Sequence, residues 1–468
     1  MAAGDNACGG TSAARAAYCC AASVMLKWSH SNDETTSESI DRASTVGVGR
    51  QVVGAPAIRL CKGERPMFDA AFIENPYPTY EHLRATGRIH WLEYGGGAWL
   101  VSHYDDVMAL LRDPQLGTAL SGGFSRQFPE HQRHYLDDFE ATVKLWLSGM
   151  DGEEHLRLRR LLNTAFTPRV VEQMRPRIQR LTDQLIDTFC ERGEVELMSE
   201  FAHPLPALVV AQLLGVPAED RHQFVYWSDD IGAFFGSAKA TIEQARAAND
   251  ALASMREYFR PIVADRRAHP RDDLITRMIE VEEQGAMFTE DQLLAQCSLF
   301  LFAGHETTRN LIGNGMKALL DNPDQLELLR EQPALIQSAI DEIVRYDCPI
   351  QLIPRVTTAD LDLFGQPVQR GQIVQLALAA ANRDAAQFPD PDGFDITRSA
   401  KRSTTFGFGA HICIGLPLAM MEIEIAFATL LRRLPSLRLA QPAVRVPSVA
   451  LRAFQLLPLA FDPTPPLG

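Results

Sequence analysis

The chain has 468 residues, 46% of them hydrophobic, and a formal charge of −14. This is the composition of a globular protein with a large core, and the acidic balance excludes a general nucleic-acid binder. No run of roughly 18 apolar residues suits a membrane-spanning helix. The eight cysteines are scattered without a Cys-x-x-Cys pair, a pattern that supports neither a zinc site nor a disulfide framework and fits a reducing cytoplasm.

Residues 1–66 are rich in Ala, Gly, Ser and Thr and lack sustained periodicity, so they read as a disordered N-terminal extension. The apolar stretch Ala16–Leu26 is too Ala-rich for a good signal peptide and has no clear cleavage site. One folded domain is expected over 67–468. Pro76–Arg84 reads as a helix. Ile89–Tyr94 and Ala98–Ser102 read as strands of a hairpin around Gly95-Gly96-Gly97. Tyr104–Leu111 is helical. Residues 115–149, with Gly122-Gly123 and Pro129, show no clean periodicity and have the character of a functional lid.

In the stretch from Asp151 to Arg160, His155 and Arg159 stand four apart and share a helix face. A solvated charged helix fits this stretch as well as a functional pair does. From Val170 to Glu283 the pattern is almost entirely helical. Trp227, Ile231, Phe234 and Phe235 group around Gly232 and Gly236, as core or as a pocket roof.

Thr289-Glu290-Asp291-Gln292 is a capping box, and a long helix follows to about Leu320. Gly304, Thr307 and Thr308 are weak helix formers and predict a distortion at its centre. Leu299, Phe302, Ala303, Glu306 and Thr307 are expected on one face. Glu306 closes the most apolar segment, where an acid needs a partner or a task. Glu342 and Arg345 stand three apart on a further helix, a spacing common for surface ion pairs. Ile350–Arg355 is extended, Asp362–Val368 and Gln372–Leu378 read as strands, and 436–462 as strand-like pieces. Finally, Cys413 sits in a glycine-rich loop at 405–416 before a helix at about 416–433. Gly407 and Gly409 permit backbone conformations closed to other residues, so that amides turn toward the sulfur. Gly415 lets the helix approach a flat group. A lone buried cysteine is also an ordinary core residue.

Three patterns occur in order: Ala303-Gly304-x-Glu306-Thr307-Thr308, Glu342-x-x-Arg345 and Phe406-Gly407-x-Gly409-x-His411-x-Cys413-x-Gly415. Together they resemble the cytochrome P450 family, with agreement from Phe68 to the C-terminus. The resemblance implies a mainly α fold with a smaller β region, and haem b (iron protoporphyrin IX) between the long central helix and the cysteine-loop helix. It implies Cys413 thiolate as axial ligand. It makes His155, Arg159 and Arg355 the propionate partners, with His411, Phe406 and Gly407 around the cofactor. Ala303 and Gly304 would open a groove for dioxygen, Thr307 would contact it, and Glu306 would relay protons. Glu342 and Arg345 would belong to a buried network holding the cysteine loop. Many relatives complete that network with an arginine where this chain has Gly393, which leaves Arg383 or Arg398 as the third member.

The implied activity is hydroxylation or epoxidation by a haem-thiolate monooxygenase. The segment from Phe302 to Ile312 is especially similar to bacterial soluble members that tailor secondary metabolites, so a large, mostly apolar substrate such as a polyketide or macrolide is expected. Gly407-Phe408-Gly409 lacks the third glycine of a dinucleotide fingerprint, so electrons are expected from a separate ferredoxin or flavodoxin with its reductase. Arg157, Arg160, Lys401 and Arg402 are expected to steer that acidic partner. The rival readings are a peroxide-driven or desaturating haem-thiolate enzyme, and a non-catalytic haem binder, which would have no need of Glu306-Thr307.

Overall fold

The computed structural model describes residues 68–92, 97–119, 123–237, 240–283, 288–399 and 402–467. The N-terminal extension, the hairpin tip at 93–96 and Lys401 lie outside them. The elements that build the site are helices α1 (Tyr77–Thr86), α2 (Tyr104–Leu110), α3 (Gly152–Ala165), α4 (Pro168–Asp187), α5 (Pro204–Leu214), α6 (Arg221–Gly236), α7 (Ile242–Ala268), α8 (Glu290–Asp321), α9 (Ile336–Tyr346) and α10 (Leu416–Arg433). Five strands form the main sheet: β1 (Ile89–Leu92), β2 (Ala98–Val101), β3 (Leu116–Gly117), β4 (Leu352–Thr357) and β5 (Ile373–Ala377).

Helix α8 runs 32 residues, about 48 Å at 1.5 Å per residue. Its start is fixed by the capping box: Gln292 N donates to Thr289 Oγ1 at 3.1 Å, and Thr289 N donates to Gln292 Oε1 at 3.0 Å. The helix stays α-helical through 302–308, so the expected distortion is absent. Thr307 Oγ1 does donate back to Ala303 O at 2.9 Å, but the bond is absorbed within a helix buried along most of its length. Gly315 lets α9 and α10 close on it, since a Cβ there would lie 2.6 Å from Ile343 and 2.8 Å from Phe427.

The sheet has the order β1-β2-β5-β4-β3. β2 pairs parallel with β5 and the other neighbours pair antiparallel. Its apolar face, with α1 and α2, forms a core distinct from the large helical one. The lid region 123–150 folds as short 3₁₀ turns and one helix, Asp137–Val143. Aromatic packing orders it: Phe124, Phe139 and Trp146 contact Phe235 with centroids 5.3 to 6.4 Å apart across the cluster. The C-terminal pieces pair as short strands.

The support of the cysteine loop starts on α9. Arg345 and Glu342 are each 2% exposed and joined by two 2.7 Å bonds. Arg345 also donates to the carbonyls of Asn382, Pro391 and Gly393. Arg398, not Arg383, is the third member: its Nε lies 3.2 Å from both Glu342 oxygens, and its other nitrogens bind the carbonyls of Pro389, Asp390 and Gly393. Arg383 instead stacks on Tyr346 and Tyr77 and donates to Tyr346 O. Asn382 extends the support to the loop through Thr404 N and Thr405 Oγ1. Arg398→Ala is expected to lower stability by about 2 kcal/mol, the scale of lost hydrogen bonds to a charged group, whereas Arg345→Ala removes the bidentate partner of buried Glu342 and the donor to three carbonyls and costs about 4 kcal/mol. Urea midpoints of the two variants check the order.

Candidate active site

A cavity of about 770 Å³ opens between α8 and the cysteine loop, a size typical of small-molecule sites. Its walls are mainly apolar, from Phe124, Trp146, Val210, Phe235, Leu299 and Leu311 among others. Ala303, Gly304, Thr307 and Thr308 line it along α8, while Phe406, Gly407, His411 and Cys413 line it from the loop. Of the aromatic group on α6 only Phe235 reaches the wall. Trp227, Ile231 and Phe234 are core. From β4 and the residues just before it, Ile350, Ile353, Pro354 and Arg355 line the cavity.

The cysteine loop is shaped by two glycines at positive φ, Gly407 at +68° and Gly409 at +73°. A β-carbon at Gly409 would lie 3.0 Å from Leu111 O. Cys413 N donates to Phe406 O at 2.9 Å, which closes the loop, and the accessible surface of the thiol faces the cavity. The amides that reach the sulfur are those of Gly415 and Leu416. They follow the cysteine and belong to the start of α10, where unpaired N–H groups point outward. The glycines before it bend the chain instead of supplying the donors. Burial pushes the Cys413 thiol up, and those two amides and the Arg159 charge oppose the shift.

Arg159 and Arg355 bring positive charge to the same cavity. Arg355 is 6% exposed and donates to the Pro354 carbonyl at 2.9 Å. Burial lowers its affinity for protons to a pKa of about 10. Among the described residues no carboxylate forms an ion pair with either guanidinium. Two costly cations with planar donor forks therefore await an anion with carboxylate geometry. His411 joins them on the wall. Its Nε2 lies 3.3 Å from Asp151 Oδ1. Asp151, overlooked in the sequence, also accepts from Thr118 N, Thr118 Oγ1 and Ala119 N. Burial works against its ionised form, but these donors hold its carboxyl well below the usual range. Its only sequence signal is its place as the residue before α3.

His155 does not reach the wall. Its ring packs against His411 at 4.0 Å between centroids, and Nε2 is buried without a partner. Glu306 also departs from expectation. Residue 306 lies 100° around α8 from Thr307, and its carboxylate turns from the cavity to Arg309 (2.8 and 2.9 Å) and Asn310 (3.2 Å). Arg309 in turn meets Asp229 at 2.6 Å. Phe302 likewise leaves the cavity face and stacks on Trp146. Burial raises the Glu306 carboxyl above its ordinary value in spite of Arg309.

A thiol fed by two amides, a slot walled by small residues and unpaired guanidinium groups at its rim fit a flat iron porphyrin with two propionates. His155 gives the haem-free protein a pH signature. Burial, then the His411 and Arg159 charges, push it down to about 4, against about 6.5 in the unfolded chain. The unfolded state binds more protons between these values, so stability falls as pH drops from about 6.5 to about 4. His155→Gln is expected to make that fall in urea midpoint shallower. His203, pushed to about 3 by burial and Arg309, sustains a remainder.

Comparison with known proteins agrees with this geometry. The family model "Cytochrome P450" matches residues 116–442. The biotin biosynthesis cytochrome P450 of Bacillus subtilis is 38% identical, over 84% of this chain and 97% of that one. The cytochrome P450 monooxygenase PikC of Streptomyces venezuelae is 37% identical, over 83% and 92%. Among solved structures, P450BioI in complex with hexadec-9Z-enoic acid ligated acyl carrier protein matches with a TM-score of 0.78 at 35% identity, over 84% of this chain and 99% of that one. The chain belongs to the cytochrome P450 family, haem-thiolate monooxygenases that hold iron protoporphyrin IX through a cysteine.

Proposed function

We propose that this P450 hydroxylates or epoxidises a large, mostly apolar metabolite, with Cys413 as the axial ligand. The observation that carries the reading is the Cys413 thiol facing a cavity whose rim holds two guanidinium groups without carboxylate partners. When bound, the haem supplies dioxygen activation with two electrons from outside. Arg159, Arg355 and His411 would hold its propionates, and His155 backs His411. Ala303 and Gly304, small residues on the cavity wall, would leave room for dioxygen beside the cofactor. Thr307 faces the cavity and its hydroxyl, now bonded to Ala303 O, is free to turn and donate to a guest. Glu306 acts from behind α8: its raised proton affinity suits it to pass protons, and Arg309 links it to half-exposed Asp229.

The apolar walls support an apolar substrate. A relative named for polyketide biosynthesis, and neighbours solved with fatty acids, favour an acyl or polyketide chain. Among the described residues no helix is long and apolar enough to cross a membrane. The defining test is the carbon monoxide spectrum of the reduced protein. A thiolate-type red-shifted Soret band is expected in wild type and absent in Cys413→Ser. A histidine-type band in wild type would overturn the assignment.

A ferredoxin or flavodoxin would supply the electrons, and the docking patch we infer keeps Arg402 of the four basic residues read in the sequence. Arg157 is tied to Glu154 at 2.6 and 3.0 Å. Exposed Arg112 and Arg402 instead sandwich Phe408 of the cysteine loop, each guanidinium 4.1 Å from the ring centroid. The double variant Arg112→Glu/Arg402→Glu is expected to slow reduction by an acidic ferredoxin about tenfold at low salt and to flatten the salt dependence. Arg157→Glu should change it far less. Stopped-flow reduction rates measure both.

A further inference from the structure

The lid lines the cavity with an unbroken run of residues, 143–151. Lys144 is the cation in that run. It stands between Val143 and Leu145, and it is exposed where they are half-buried. A lysine at the edge of an apolar chamber lays its stem on the wall and keeps its charge in water. That charge has no counterpart in the fold: among the described residues no carboxylate forms an ion pair with Lys144. Glu140, four residues back and the ordinary helical partner, accepts from Ser125 N at 2.8 Å instead. Glu154, on the same wall, holds Arg157 and Gln292. Asp151 holds His411 and the amides of Thr118 and Ala119. With Arg159, Arg355 and His411 assigned to the propionates, Lys144 is the wall cation, among the described residues, left without a task.

We propose that the substrate is a long-chain carboxylic acid and that Lys144 pairs with its carboxylate at the cavity edge. The inference rests on the reading of this cavity as the substrate site of a Cys413 enzyme. The walls favour an apolar chain. A carboxylate is costly away from water unless it is paired, so the head group stays at the edge beside Lys144 and the chain fills the interior. The protein as a whole carries a charge of −14 and repels an anion. A cation at the point of entry offsets that repulsion locally. A neutral ligand of the same shape gains nothing from Lys144. The pair is exposed, so its contribution is modest, about fivefold in affinity at low salt.

The test is a calorimetric titration of the haem-loaded protein with dodecanoate and with dodecanamide, which has the same shape and no charge. The ratio of the two dissociation constants isolates the charge. In Lys144→Gln, dodecanoate should bind about fivefold more weakly and dodecanamide equally well. Lys144→Arg should keep the wild-type ratio, and Lys144→Glu should disfavour the acid further. The effect of Lys144→Gln should shrink as salt rises from about 0.01 to about 1 M. Failure of dodecanoate to bind wild type overturns the proposal, as does equal weakening of both ligands in Lys144→Gln. Faster transfer of haem from Lys144→Gln than from wild type to apomyoglobin also overturns it, since Lys144 would then be a propionate partner. A thiolate-type carbon monoxide band with the same ratio in wild type and Lys144→Gln overturns this inference alone. Absence of the thiolate band overturns it together with the Cys413 assignment.

Discussion

A single guanidinium, buried inside the protein, holds the cysteine loop in place. Arg345 has five N–H donors, and the structure gives it five acceptors: both oxygens of Glu342 and the carbonyls of Asn382, Pro391 and Gly393. Such a charge is tolerable only when every donor is used. The consequence is geometric. Three carbonyls from an irregular stretch are fixed to one rigid plane, and that stretch carries Asn382, whose amide positions Thr404 and Thr405. Thr405 Oγ1 donates back to Val344 O on the helix that bears Arg345. The ring of contacts is closed, and the residues that precede Cys413 have little freedom left.

From that anchor the site is built by unequal solvation at its edges. One rim of the cavity holds Arg159, Arg355 and His411, with Asp151 clasping the imidazole through its own set of amide donors. The sulfur takes two amides from the start of α10, so its negative charge is moderated by the protein before any partner arrives. Along the opposite wall α8 offers small residues and hydroxyls. The cations are expensive alone and become favourable with a dianionic cofactor, which makes haem binding and folding of this region parts of one process.

Helix α8 serves two environments at once. One face lines the cavity with Ala303, Gly304 and Thr307, and the adjoining face holds Glu306 in a charged cluster with Arg309, Asn310 and Asp229. Chemistry that needs protons in a dry cavity gains from this division. The acid is kept out of the substrate's space yet only one residue from the hydroxyl that faces it. Gly232 on α6 faces the Glu306 carboxylate, its β-carbon position 3.5 Å from Glu306 Cδ, an ordinary van der Waals contact.

The sequence by itself determined what short spacing controls. The capping box of α8, the positive-φ glycines of the cysteine loop, the Glu342–Arg345 pair and the extended run Ile350–Arg355 all depend on neighbours within about four residues, where backbone geometry leaves few choices. The family was legible for the same reason, since its motifs are local. Tertiary structure alone decided which arginine completes the Glu342 network, because Arg398 stands 56 residues from it in the chain. It also decided that Asp151 meets His411 and that Asp229 from α6 joins the Glu306–Arg309 pair. These outcomes depend on desolvation and on charges brought together from distant segments, and neither is encoded in the spacing of nearby residues.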